Sequence, residues 1–137
     1  MAYSLNPSSD GCYTGTTCLV NKLNIQDAKL LEDVEAQISF AKTVLLYEQP
    51  IKGNFDFDHF KKIHEFLFCN LYDWAGQVRK VDISKKRTKF LDAESVNDIA
   101  EKSFRKVANG YFENLSFAEF VRRIAIFYND VNYIHPF

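Results

Sequence analysis

The run from Phe117 to Val131 limits what this chain can fold into more than any other stretch. Phe117, Phe120, Val121, Ile124, Phe127, Tyr128 and Val131 recur at helical spacing, and Ala125 and Ile126 put apolar groups on further faces. A helix apolar on so many sides is normally central in a bundle. The expectation is therefore a helical bundle with this helix in the middle, touching the stripes of its neighbours. Ser116 and Glu119 have the spacing of a capping box at its start. Pro136 stops it, and a residue before proline is displaced from the α region. That residue is His135.

Three further helices are predicted. One runs over 27–47, capped by Asp27, with Leu30, Leu31, Val34, Ile38, Ala41 and Leu45 as its stripe. The next is capped by Asp56, with Phe57, Phe60, Ile63, Leu67 and Leu71 as its stripe. His64 lies beside that stripe and is read as a hydrogen-bonded core residue. A third spans 93–108 through Val96, Ile99, Ala100, Phe104 and Val107, and Asn109-Gly110 ends it. Gly76 follows Trp74 where the backbone needs a conformation other residues resist. Residues 1–24 form an N-terminal arm. Asn6-Pro7-Ser8-Ser9-Asp10-Gly11 is turn chemistry, and Leu19, Val20, Leu23 and Ile25 are expected to pin the arm.

Residues 79–90 break the helical pattern. Val81-Asp82-Ile83-Ser84 alternates with period two, Lys85-Lys86-Arg87 is polar, and Thr88-Lys89-Phe90 can return. The segment reads as a β-hairpin leaning on the helices through Ile83 and Phe90. Residues 79–89 hold six basic side chains against Asp82 alone, a local +5 that leaves −6 for the rest of a chain of net charge −1. An exposed strand edge of this kind can dock an extended peptide by β-augmentation.

With 137 residues and 47% apolar content, the chain is one globular domain with a real core. Its near-neutral balance excludes a global attraction to nucleic acid or anionic lipid. No apolar run is long enough to span a bilayer, and the N-terminus has no signal-peptide core. Cys12, Cys18 and Cys69 are an odd count at no metal-ligand spacing, so neither zinc nor a Cys12–Cys18 bridge is expected. Reduced thiols in a cytoplasm are the plain expectation.

His135 has two readings. It protrudes from a helix end with a pKa near neutrality, as suits a general base. Alternatively, a charged His135 closes the negative end of the helix dipole.

Six motifs in order carry a resemblance: Gly53-Asn54-Phe55-Asp56-Phe57, Ile63-His64-x-x-Leu67-Phe68, Tyr72-Asp73-Trp74-Ala75-Gly76, Arg79-x-Val81-x-Ile83-Ser84, Phe90, and Asn132-x-x-His135-Pro136-Phe137. The stretch from Tyr13 to Leu23 fits as well. Together they resemble the Fic (filamentation induced by cAMP) family. The resemblance implies an all-α, mainly helical bundle over 25–137, with one β-hairpin flap at 79–90. It implies a protein adenylyltransferase that moves AMP from ATP, with Mg²⁺, to a Ser, Thr or Tyr hydroxyl of a target protein. His135 takes the general-base role. The flap residues Val81, Asp82, Ile83, Ser84, Lys85, Lys86, Arg87, Thr88, Lys89 and Phe90 hold the target segment as an added strand.

The family motif continues past His-Pro-Phe with an acidic metal ligand, a Gly-Asn turn for phosphates and an arginine. None of these is among the 137 residues, so the domain is expected to be incomplete, with base and flap but neither ATP nor Mg²⁺ bound and no transfer. Phosphoryl-type transfer depends on positioning and charge neutralisation, which a lone base does not supply. No Ser/Thr-x-x-x-Glu-Gly/Asn inhibitory motif is found, so a separate antitoxin is the family's precedent for restraint. The alternative function is a protein-binding module that uses the basic flap without chemistry.

Overall fold

The computed structural model describes residues 11–85 and 87–137. The expected turn at residues 6–10 and the flap residue Lys86 lie outside them. Four helices and one hairpin follow in order: α1 (Ala28–Glu48), α2 (Phe57–Phe68), β1 (Ser84–Lys85), β2 (Thr88–Lys89), α3 (Ala93–Ala108) and α4 (Phe117–Ile134). The fold is thus mainly helical with a two-stranded antiparallel hairpin, as the sequence implied.

Helix starts follow local chemistry. Asp27 accepts a hydrogen bond from the Leu30 N–H, Asp56 from the His59 N–H, and Ser116 from the Glu119 N–H. The capping box at Ser116 is one-sided, because the Glu119 carboxylate turns to Arg122 and Arg123 at 2.7 Å. That pairing holds its carboxyl at about 2.

The core lies where α2, α3 and the end of α4 meet. Phe57, Val96, Ala100, Phe104 and Ile134 are buried there, with Phe60, Phe127, Val131 and Phe137 against them. Phe104 joins the layers through ring contacts with Phe57, Phe60 and Phe127. Helix α4 is not central, against expectation. Of its residues only Ile134 is buried, and Phe117 and Tyr128 are 83% and 74% exposed. Its apolar excess points outward because α3 and the core cover one side alone.

Helix α1 also departs from its expected stripe. Leu30 and Leu45 are exposed and only Leu31 is buried. The inward face carries polar groups. Glu35 accepts from the Tyr72 hydroxyl at 2.6 Å, and the Lys42 ammonium donates to the Phe66 carbonyl at 2.6 Å. Helix α2 ends at Phe68, before the expected Leu71, yet Leu71 and Tyr72 are buried in the turn that follows.

Residues 11–24 are pinned in part by the groups expected, since Leu19 and Ile25 are half-buried. Val20 and Leu23 are half exposed, whereas Cys18 and Asn21 are buried. The Asn21 amide donates to the Leu19 and Ile25 carbonyls and accepts from the Leu23 and Ile25 N–H groups. The Lys22 N–H donates to the Leu71 carbonyl, tying the arm to the α2 exit. Cys12, Cys18 and Cys69 are all unbridged.

Candidate active site

The end of α4 turns into the base of the hairpin. His135 is its C-cap and adopts a left-handed backbone, φ 44° and ψ 69°. Proline alone accounts for leaving the α region, but it favours an extended conformation, not this one. The His135 imidazole stacks on Phe90 with centroids 4.4 Å apart. Phe137 turns inward and stacks on His64 at 3.9 Å, with Phe60 at 5.5 Å. The two flanking aromatics therefore fix the short segment at both ends.

Burial, then the nearby Arg79 and Lys85 charges, hold the His135 imidazole below its ordinary pKa. A hydrogen bond to the Asn132 backbone pulls the other way. The net direction favours a neutral ring. Of the two sequence readings, the charged helix-end histidine is the one this geometry disfavours, because Arg79 already occupies the negative end of α4. Its Nε donates to the His135 carbonyl at 2.6 Å and its Nη2 to the Ile134 carbonyl at 3.1 Å. The Leu91 N–H takes the Tyr133 carbonyl at 3.1 Å. The helix carbonyls that lack intrahelical donors are thus satisfied.

His64 is the structural histidine the sequence suggested. Its Nδ1 accepts from the Gly76 N–H at 2.9 Å, and burial lowers its pKa to about 4. Gly76 is required twice over. Its φ is 78°, and an added Cβ would sit 2.7 Å from the Glu65 Cβ.

The hairpin is shorter than expected. Ser84 pairs with Lys89 and Lys85 with Thr88, while Val81, Asp82 and Ile83 are not strand. Those three residues anchor the flap instead. The Val81 carbonyl accepts from Arg79 Nη1, and Ile83 is buried. Asp82 accepts from the Ala93 N–H at 2.7 Å, so it caps α3 where the formal cap Asp92 makes no such bond. Asp92 instead pairs with Lys89 at 2.7 Å. Arg87 and Thr88 are exposed, and Phe90 is buried with Ile83, as expected. Among the described residues no third strand covers an outer edge of the hairpin. The basic character is smaller than the residue count suggests, because Arg79 is turned inward and Lys89 is paired.

Sequence reasoning missed the role of Arg79, which it counted as a flap charge. No local pattern marks an arginine whose partners lie 55 and 56 residues away.

No three His, Cys, Asp or Glu among the described residues gather to hold a metal. The Gly76 N–H is already given to His64. Among the described residues no helix is long and apolar enough to cross a membrane.

The sequence pattern of the Fic/DOC family matches residues 54–137. Over 123 residues the chain is 35% identical to the protein adenylyltransferase VbhT of Bartonella schoenbuchensis, covering 89% of this chain and 26% of that protein. It is 29% identical over 126 residues to the probable protein adenylyltransferase Fic of Escherichia coli, covering 91% of this chain and 62% of that one. The chain thus spans less than two thirds of both relatives. Among solved structures, the N-terminal Fic domain of a Bartonella effector protein from Bartonella sp. AR 15-3 superposes with a TM-score of 0.82 at 25% identity, over 92% of this chain and 63% of that chain. BepC from Bartonella tribocorum, with bound AMPPNP, gives 0.83 at 23% identity, over 92% and 68%, a likeness of fold.

Proposed function

Because the chain belongs to the Fic/DOC family, we propose that it carries the base and the target-docking half of a protein adenylyltransferase. His135 takes the proton from a Ser, Thr or Tyr hydroxyl of a target protein, which makes that oxygen nucleophilic. The carrying observation is the placement of a neutral-favouring imidazole against Phe90 at the root of the hairpin. A base must be unprotonated and within hydrogen-bond reach of its hydroxyl. An extended target segment pairing with an outer hairpin edge would be held in register there, with the hydroxyl side chain turned toward His135.

For a polypeptide of these 137 residues alone the reading is docking without transfer. A chain extended with the acidic residue, Gly-Asn turn and arginine of the family motif transfers AMP, and a separate antitoxin is proposed as its restraint. The exposed Lys80 and Arg87 beside the hairpin favour a second reading, a protein-binding module that performs no chemistry.

The test is incorporation of labelled AMP into lysate proteins with Mg²⁺. The proposal predicts none from the 137-residue polypeptide, incorporation from the extended chain, and its loss in the extended His135→Ala chain. An extended chain that binds ATP yet labels nothing would support the second reading.

A further inference from the structure

We propose that Arg79 is the positioning residue for His135. Its guanidinium fork, rather than Pro136, holds the left-handed backbone that sets the imidazole on Phe90. The proposal rests on the reading of His135 as the base, but its test does not depend on transfer.

A left-handed conformation is uncommon outside glycine and persists where surrounding contacts over-determine it. Helices that end in this way usually place glycine there. Here the position is a histidine with φ 44°. Pro136 would bias it toward extended backbone, so a second cause is needed. Arg79 supplies one. Three successive carbonyls turn toward this one residue. Nη2 donates to Ile134 at 3.1 Å, Nε to His135 at 2.6 Å, and the backbone N–H to Pro136 at 2.9 Å. An extended His135 would not present the Ile134 and His135 carbonyls to the same planar fork.

The far side of the guanidinium is tied down as well. Nη1 donates to the Val81 carbonyl at 2.8 Å, and Nη2 also donates to the Leu91 carbonyl. Arg79 therefore joins the helix end, the flap root and the segment before α3 through one rigid group. Its charge also suits the helix C-terminus. Lysine could supply the charge but not the fork.

The test is NMR of the 137-residue chain, reading the His135 Cα shift, the ring-current shift from Phe90 and the imidazole titration. Charged groups near the ring are Arg79 and Lys85, and Asp82 and Asp92 act on Arg79. In Arg79→Lys the charge stays and the fork is lost. The prediction is that His135 loses its left-handed and ring-current signatures and titrates closer to the ordinary imidazole value, while Val96 and Ala100 methyl signals hold. Unchanged His135 signals in Arg79→Lys and Arg79→Met would overturn the proposal. Pro136→Ala leaves the fork in place and guards against a variant that fails to fold. Retention of the His135 signatures in Pro136→Ala supports Arg79 as the cause, and their loss assigns the conformation to proline and overturns the claim.

Discussion

His64 and His135 are both held below the ordinary imidazole value, but they do different work. His64 is walled in by Phe68, Trp74 and Phe137 and accepts from the Gly76 N–H, which ties the turn after α2 to the core. A ring that is harder to protonate when folded makes the unfolded chain bind more protons at acid pH, so stability rises with pH. The contribution is complete above about 6.5 and is lost as pH falls toward about 4. In His64→Asn, whose Oδ1 can take over the Gly76 N–H, the melting temperature should vary less between those pH values. Thermal melts over that range check this, and an unchanged slope would contradict it. Both histidines stood out in the sequence as candidates, since a His beside an apolar stripe and a His before proline are local signals. The arginine that governs the backbone of His135 gave no such signal.

The element most altered by its surroundings is the hairpin. Period-two alternation pointed to a strand from Val81, yet the strand starts at Ser84, with one further backbone bond from the Phe90 N–H to the Ile83 carbonyl at 3.4 Å. Residues 81–83 alternate because Ile83 packs inward while the side chain of Asp82 turns to α3. An alternating pattern cannot distinguish a strand from an extended anchor. The helix caps were legible because Asp27, Asp56 and Ser116 act within three residues of themselves. The α3 cap was not, because its working carboxylate is 11 residues upstream. Losing an N-cap costs about 1 kcal/mol, so Asp82→Ala should destabilise the chain by about that much. Asp92→Ala should cost less, as it removes only an exposed pair with Lys89. Urea unfolding of both variants measures the difference, and an equal or reversed order would contradict the assignment.

At the scale of the whole molecule, the helical class, the hairpin and the histidine at the end of α4 were readable, but the packing was not. Periodicity shows that a helix has apolar faces without showing which neighbours are present to cover them. Helix α4 was expected inside and lies at a margin, and α1 shows Phe40 and Tyr47 at 72% and 85% exposure. Exposed apolar surface of this extent favours association. The 137-residue polypeptide should therefore sediment with concentration-dependent mass, and Phe40→Lys combined with Tyr128→Lys should reduce that dependence. A monodisperse monomer at all concentrations would count against it. The central claim is that His135 acts as a neutral base at the root of the flap. It is tested most directly by the pH dependence of AMP transfer in a chain extended through the family motif. The account predicts a rate that stays flat as pH falls through the ordinary imidazole value and drops only below it, because burial, Arg79 and Lys85 keep the ring unprotonated. It also predicts that His135→Ala lowers the rate by about 10²–10⁴-fold and removes that acid limb. An acid limb at or above the ordinary imidazole value, or transfer that survives His135→Ala, would contradict it.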